Sequence, residues 1–314
     1  MTARKEWQGH EGDVLDSVGG FDVIQCTTCG FKHIAPIPTA EDLDDIYRQG
    51  YYSTEKPLYL ERAREDAEWW DSVYADRYDT LEELLPPERR RLLDVGSGPG
   101  SFLLHGNRRG WRTLGVEPSR QAAEYSASLG LDVVEAFLTA ELAPQLGTFD
   151  AINASEVFEH LPDPRGMVAL LRDLLAPGGV VCICVPNDYS PIQATLRDAC
   201  GYSPWWLAPP HHVNYFNGDS LEKLLTAAGL DVVLREATFP IDLFLLMGEH
   251  YVGDDELGRR CHARRKTLEL NLVAGGRNDL KRRLYRSLAE LGIGREVVMY
   301  GVKPDTDLER EDRP

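Results

Sequence analysis

The stretch that most constrains this chain is Arg91-Leu92-Leu93-Asp94-Val95-Gly96-Ser97-Gly98-Pro99-Gly100, running into Ser101-Phe102-Leu103-Leu104. A short apolar run ends on a carboxylate, passes through three alternate glycines and enters an apolar stretch with helical spacing. That pattern predicts a buried strand, a tight turn and a helix N-terminus, where an α/β fold holds a ligand against exposed backbone N–H groups. Glycine allows positive φ in the turn, and lets a ligand approach where a Cβ would collide.

From Arg91 onward the apolar segments alternate in type. Strands are expected at Thr113 to Val116, Asp132 to Glu135, Phe149 to Ala154 and Val180 to Val185, with helices between them over Arg120 to Leu129 and Met167 to Leu175. Strands interleaved with helices of about ten residues imply a doubly wound, mostly parallel sheet. Val180 to Val185 is apolar on both faces, as a central parallel strand should be, and makes Cys182 and Cys184 small buried hydrophobes. A helix over Asp219 to Ala228 leads to a strand at Leu230 to Leu234, and Glu296 to Gly301 reads as the closing seventh strand. The intervening segment is helical in pattern at Leu243 to Met247, Leu257 to Leu272 and Asp279 to Leu291. The chain therefore divides into an appendage (1–55), a covering helix (56–90), a Rossmann-like core (91–240), a helical insertion (241–294), a closing strand (295–303) and a disordered tail (304–314).

The glycine spacing separates two kinds of cofactor site. A dinucleotide fingerprint places Gly at 96 and 98 and then Gly or Ala at 101. Here position 101 is Ser, and the third glycine falls at 100. Asp-x-Gly-x-Gly-x-Gly closing a first strand instead resembles motif I of the class I S-adenosylmethionine (SAM)-dependent methyltransferases, and Leu-Leu-Ala-Pro-Gly-Gly before the fifth strand is similar to another recurring feature of that family. The resemblance covers residues 90 to 235. It implies a seven-stranded Rossmann-like fold in which Asp94, Gly96, Ser97, Gly98 and Gly100 surround the methionine part of SAM. Glu117 with Pro118, about twenty residues on, would hold the ribose, and Ala136 and Phe137 would contact the adenine. Asn153, near the end of the fourth strand, is counted with them as a cofactor-binding residue. Tyr47, Tyr51 and Tyr52 precede the core, where the family's tyrosines fold over the SAM carboxylate; packing of the appendage on the core is the other reading, and Tyr52 is the one carried as a cofactor residue.

Two later stretches carry the expected chemistry. Ser155-Glu156-Val157-Phe158-Glu159-His160-Leu161-Pro162-Asp163-Pro164 follows the fourth strand, at the sheet edge where open α/β folds bind ligands. It resembles the Glu-His-x-Pro-Asp segment of ubiquinone-pathway O-methyltransferases, and His211-His212-Val213-Asn214-Tyr215-Phe216 resembles a second segment of those relatives. Glu156, Glu159 and His160 with His211 or His212 are also similar to the divalent-metal site of small-RNA 2′-O-methyltransferases. A mixed carboxylate and imidazole set suits Mg²⁺, Mn²⁺ or Fe²⁺ and would lower the pKa of an attacking hydroxyl. The alternatives are that Glu159-His160 only buttresses the loop, or that His212 or His211 acts as a metal-free general base. Trp205 and Trp206 form either a substrate wall or a lid packed on the core.

At the N-terminus, Cys26-Thr27-Thr28-Cys29-Gly30 is half of a zinc knuckle, and a structural zinc needs four ligands. His33 and the more remote His10 would complete a Cys2His2 set at non-standard spacing. The segment resembles the N-terminal part of sugar-modifying methyltransferases that carry two such cysteine pairs. Lacking the second pair, it reads as a metal-free remnant, with Cys26 and Cys29 as the zinc ligands if one is bound.

Net charge is −17, from 34 Lys and Arg against 51 Asp and Glu, which argues against binding nucleic acid through its phosphates. The insertion runs the other way, with eleven Lys and Arg against four Asp and Glu between 257 and 296. Arg264, Arg265, Lys281, Arg282 and Arg283 would receive an anionic substrate group there, unless they form a solvated face or an oligomer contact. A polar N-terminus, no membrane-length apolar run and six scattered cysteines fit a cytoplasmic setting. The expected activity is SAM-dependent methylation of a hydroxyl on a small metabolite, such as a sugar or nucleotide-sugar. C-methylation of a sugar, RNA-terminal 2′-O-methylation and a catalytically silent SAM-binding subunit are the alternatives. A dehydrogenase is disfavoured by the glycine spacing.

Overall fold

The computed structural model describes residues 4–39 and 65–305. Tyr47, Tyr51 and Tyr52, the first part of the covering segment and 306–314 of the tail lie outside the described residues.

The chain begins with four antiparallel strands, β1 (Arg4–Trp7), β2 (His10–Val18), β3 (Phe21–Cys26) and β4 (Lys32–Ala35). Two tight hairpins join the first three: Gln8-Gly9 and Gly19-Gly20 all have positive φ, as two-residue hairpin turns require. Helix α1 (Ala67–Leu84) follows and ends at Leu85, which is extended ahead of Pro86.

The second sheet is built next. Strand β5 (Arg91–Val95) leads through the glycine turn to α2 (Ser101–Arg108), then β6 (Arg112–Glu117), α3 (Arg120–Ser128) and β7 (Val133–Glu135). Strand β8 (Phe149–Ser155), α4 (Pro164–Leu174) and β9 (Leu175–Pro186) continue the alternation. After these come α5 (Pro191–Cys200), the two-residue strand β10 (Asn214–Tyr215), α6 (Gly218–Ala227) and β11 (Asp231–Ala237). Two long helices, α7 (Asp255–Ala274) and α8 (Asn278–Glu290), precede the last strand, β12 (Glu296–Val302).

The larger sheet has the order β11-β12-β9-β8-β5-β6-β7. Its pairings are parallel from β9 through β8, β5 and β6 to β7, whereas β12 runs antiparallel to both β9 and β11. This is the doubly wound, mostly parallel seven-stranded sheet expected. Strand β9 is buried at every position from 179 to 186, because helices cover both faces. The order turns back beside β5, so the ends of β5 and β8 open a crevice at the switch point.

Local chemistry moves two boundaries. Helix α4 starts at Pro164, three residues ahead of the expected Met167: Asp163 accepts the Gly166 N–H at 2.9 Å and Pro164 pre-sets the first helical φ. Leu175, the last residue of the expected helix, and Ala176-Pro177-Gly178-Gly179 after it already belong to β9, with Leu175 in register with Phe149.

The smaller sheet, β1-β2-β3-β4-β10, joins the appendage to the core. Strand β10 pairs antiparallel with β4, setting Asn214 opposite His33. Val23 and Ile34 of the appendage pack with Trp206, Val213 and Tyr215. Trp205 and Trp206 are thus part of this packing between appendage and core, which is the lid-like alternative rather than a cavity wall.

Candidate active site

The glycine turn closes on itself before any ligand is considered. Gly96, Gly98 and Gly100 have φ of 70°, 53° and 76°. A Cβ on Gly96 would meet Val157 Cγ2 at 2.7 Å, and one on Gly100 would meet Leu131 Cδ1 at 2.5 Å. Glu117, at the end of β6, fixes the turn from beneath. Its Oε2 accepts the Gly98 N–H and its Oε1 the Ser119 N–H, both at 2.8 Å. Burial raises its pKa, and the two backbone donors pull the other way. Each carboxylate oxygen keeps a second lone pair for a further donor.

Beside the turn, the Asn153 amide donates to Asp94 Oδ1 at 2.6 Å, tying the ends of β5 and β8 together. Burial pushes the Asp94 carboxyl up to about 7, against the Asn153 hydrogen bond and the Arg77 cation. Asn153 Oδ1 is buried and accepts no hydrogen bond from a described residue.

These groups line one end of a cavity of about 710 Å³. Asp94, Gly96, Ser97, Gly98, Glu117 and Pro118 form the floor, and Ala136 and Phe137 flank it. The cavity also takes in Ser155, Glu156 and His160, and it is walled by Trp69, Trp70 and Tyr74 of α1 with Arg265, Glu269 and Lys281 of the insertion, Tyr74 standing edge-on to Phe102 beside the glycine turn. Helix α1, expected only as a covering helix, therefore forms much of the wall. Its signals were the adjacent Trp69-Trp70 pair and Arg77, which is buried and donates to Ser155 Oγ at 3.2 Å.

The insertion sorts its own cations. Arg265 lies over the Trp69 ring, 4.6 Å from its centroid, and Lys281 pairs with Asp76 at 2.7 Å; both line the cavity. Arg264 instead pairs with Glu249 and Arg282 with Glu83, while Arg283 is exposed. In the same wall Glu269 accepts from Trp69 Nε1 and Tyr285 Oη, tying α1, α7 and α8 together.

After β8 the backbone turns sharply. Glu156 has φ of +56°, a left-handed conformation that is uncommon for a residue with a side chain, and a 3₁₀ turn, Phe158–His160, follows. The β10 segment pins that turn. Val213 N–H donates to the Glu159 carbonyl at 2.7 Å, and the Asn214 amide donates to the Phe158 and Leu161 carbonyls at 2.9 and 2.7 Å.

Ligand atoms of Glu159, His160 and His212 thereby lie within 4.8 Å of one another. His160 Nδ1 is 2.8 Å from the His211 carbonyl, which can only accept, so Nδ1 carries the proton and Nε2 the lone pair of the neutral ring. Nε2 is 3.7 Å from Glu159 Oε1. Burial, and then the nearby Glu156 carboxylate, raise the Glu159 pKa well above the usual range.

Three of the four expected ligands are thus brought together. Glu156 is outside that set and lines the cavity beside Cys184. His211 contributes its backbone carbonyl. Of the trio only His160 reaches the cavity wall, while Glu159 and His212 stand behind it. The donor set, two imidazoles and a buried carboxylate with a backbone-oriented histidine, fits a divalent cation. The floor fits SAM: a turn that a Cβ would obstruct, a buried carboxylate with spare lone pairs, and the unfilled acceptor Asn153 Oδ1.

Residues 62–235 match the family described as "Methyltransferase domain". Among curated proteins, the chain is 32% identical over 155 residues to a ubiquinone biosynthesis O-methyltransferase of Caulobacter sp. strain K31, covering 47% of this chain and 62% of that protein. A protein of the same name from Ralstonia nicotianae is 30% identical over 146 residues, covering 41% and 61%. The chain thus spans about three fifths of the length of these relatives. A solved SAM-dependent methyltransferase from Archaeoglobus fulgidus superposes with a TM-score of 0.48 at 16% identity, covering 74% of this chain and 93% of that one.

Proposed function

The chain belongs to the methyltransferase-domain family, and on that premise we propose that it transfers a methyl group from SAM to a hydroxyl of a small polar metabolite. The observation that carries the reading is the cavity lined together by the glycine turn, Glu117, His160 and residues of α1, α7 and α8. Donor and acceptor would share one enclosure, which the proximity of a displacement reaction needs.

Bound SAM supplies an electrophilic methyl on a sulfonium. The chain's own residues position the reactants and accept the proton. Glu117 would take the ribose hydroxyls on its spare lone pairs, and Asn153 Oδ1 with Asp94 would face the amine of the methionine part. His160 Nε2, held by the bond from Nδ1 to the His211 carbonyl, would receive the acceptor's hydroxyl proton. The imidazolium so formed would lie 3.7 Å from the Glu159 carboxyl, whose ionisation it would favour. A divalent cation held by Glu159, His160 and His212 would serve the same step by lowering the hydroxyl's pKa.

The lining supports the choice of acceptor. Asp76, Glu236, Glu269 and Glu296 line the cavity with Arg265 and Lys281; Lys281, Arg286, Tyr285 and Thr238 each donate to one of these carboxylates, whose remaining lone pairs are open to further donors. Such a wall offers acceptors to a molecule rich in hydroxyls, as sugars and nucleotide-sugars are, and offers less to an anion. The aromatic Trp69, Trp70 and Tyr74 would stack on a ring. The test is transfer of labelled methyl from SAM into a fractionated small-molecule extract. His160→Ala should lower the rate by about 10²–10⁴-fold with S-adenosylhomocysteine affinity unchanged. Full activity in that variant removes His160 from the reaction, and no labelled product from any fraction counts against methyl transfer.

A further inference from the structure

We propose that His10, Cys26, Cys29 and His33 form a structural zinc site that ties the strands of the N-terminal sheet to one another. Their ligand atoms lie within 4.8 Å of one another. His10 Nδ1 is 3.2 Å from Cys29 Sγ and 3.8 Å from Cys26 Sγ. A tetrahedral Zn²⁺ at about 2.3 Å from sulfur and about 2.0 Å from nitrogen sets its ligands about 3.3–3.8 Å apart, close to these separations.

His33 supplies an independent sign. It is fully buried, and its Nδ1 donates to the Ile34 carbonyl at 2.8 Å, so its lone pair is on Nε2. Nε2 is buried and has no hydrogen-bond partner among the described residues. A backbone carbonyl fixing one ring nitrogen while the other faces a cluster of donors is how metal-binding histidines are oriented.

Hydrogen bonding alone does not satisfy the cluster. Both thiols converge on His10 Nδ1, which has one lone pair for one proton, and His33 Nε2 is left over. A tetrahedral cation satisfies all four atoms. Binding would release the two thiol protons, and two thiolates then neutralise Zn²⁺. Two sulfurs and two nitrogens are the donor set that zinc prefers.

The surroundings are built for such a site. Cys29 N–H points at Cys26 Sγ at 3.3 Å, and Gly30, with φ of +79°, returns its N–H to the Cys26 carbonyl at 3.0 Å. The loop between the cysteines is laced to the hairpin that carries His10: Thr27 N–H donates to the Glu11 carbonyl at 2.9 Å and Thr28 Oγ1 to the Gly9 carbonyl at 3.0 Å. From the core, Arg165 donates to the carbonyls of Thr28 and Cys29 at 2.7 and 2.9 Å.

The site also has a reach beyond the appendage. His33 is in register with Asn214, and Ile34 N–H donates to the Val213 carbonyl at 2.9 Å. Zinc would stiffen the sheet whose last strand pins the Glu159-His160 turn. This inference concerns the fold of the appendage and stands independently of the proposed reaction.

The full chain, purified without a polyhistidine tag, is assayed for metal by elemental analysis. About one zinc per chain is expected, and the paired variant Cys26→Ser/Cys29→Ser should carry less than about a tenth of that. Because the paired variant can fail to fold, Co²⁺ is also titrated into chelator-treated wild-type chain. The expected result is a saturable thiolate-to-cobalt charge-transfer band at one equivalent, lost in His33→Ala. Wild-type chain that carries no zinc and gives no such band overturns the proposal. So does zinc retained by the cysteine variant but lost from His160→Ala, which would assign the metal to the other cluster.

Discussion

Replacing Glu117 with Gln changes one oxygen to nitrogen at constant volume, and the structure predicts a large loss. The side chain is 4% exposed, and its two oxygens each accept a backbone N–H at 2.8 Å. A carboxamide has one acceptor oxygen, so in either orientation its NH₂ group opposes the N–H of Gly98 or Ser119. Leaving one buried N–H unsatisfied costs about 1–3 kcal/mol, and the turn that carries Gly98 must shift to relieve it. The proposed ribose contact suffers as well, because two hydroxyls lose a charged acceptor. At about 1.5 kcal/mol for each hydroxyl, affinity falls by about 3 kcal/mol, or about a hundredfold in Kd. The assay is calorimetric titration of S-adenosylhomocysteine into wild type and Glu117→Gln, with the exposed Glu124→Gln as a control that should match wild type. A folded Glu117→Gln chain whose Kd lies within about threefold of wild type would refute the assignment.

Three further outcomes follow from the geometry. Gly100→Ala should lower unfolding stability in urea by about 2–4 kcal/mol, summing left-handed strain and overpacking against Leu131; a loss under about 1 kcal/mol would mean the turn relaxes freely. Burial pushes the Asp188 carboxyl up to about 7, so its contribution to stability is full at low pH and is lost as pH rises from about 4 through about 7. Asp188→Asn should therefore gain on wild type by on the order of 2–4 kcal/mol between pH 5 and pH 8 in urea titrations, and parallel pH profiles would contradict this. Trp69→Ala should raise the acceptor's KM more than it weakens S-adenosylhomocysteine binding, because Trp69 lines the cavity against Arg265 and Glu269 of α7; equal losses would mean that the helix moved instead.

The larger sheet was legible because its signals are local. The glycines at 96, 98 and 100 each need the positive φ they have, and β9 is apolar throughout its buried length because both its faces are covered. The floor of the cavity follows from that turn, and Glu117, Asn153 and Phe137 line one cavity with it. The Glu159, His160 and His212 cluster was legible as a set of residue types. Its selection of His160 for the cavity wall was not, since it depends on hydrogen bonds from Val213 and Asn214 across fifty residues.

Other features were lost for physical reasons. Helix α1 presents a mixed face, because Arg77 and Thr80 are buried with Tyr78 and Leu81, and this blurs the apolar stripe that would mark a wall. The antiparallel N-terminal sheet left a readable trace in Gln8-Gly9 and Gly19-Gly20, whose turn chemistry marks two hairpins. The pairing of β10 with β4 left none, since a two-residue strand has no periodicity. That pairing seats His33 opposite Asn214, so the convergence of His10 and His33 on Cys26 and Cys29 emerges only from the folded sheet.

Whether one cavity holds a methyl donor beside an acceptor is decided by titrating S-adenosylhomocysteine into the full chain by calorimetry, before and after chelation and with Mg²⁺ or Mn²⁺ restored. One site per chain is expected, with a Kd in the micromolar range, about −8 kcal/mol. The absence of binding heat and of any thermal stabilisation at millimolar ligand would contradict it.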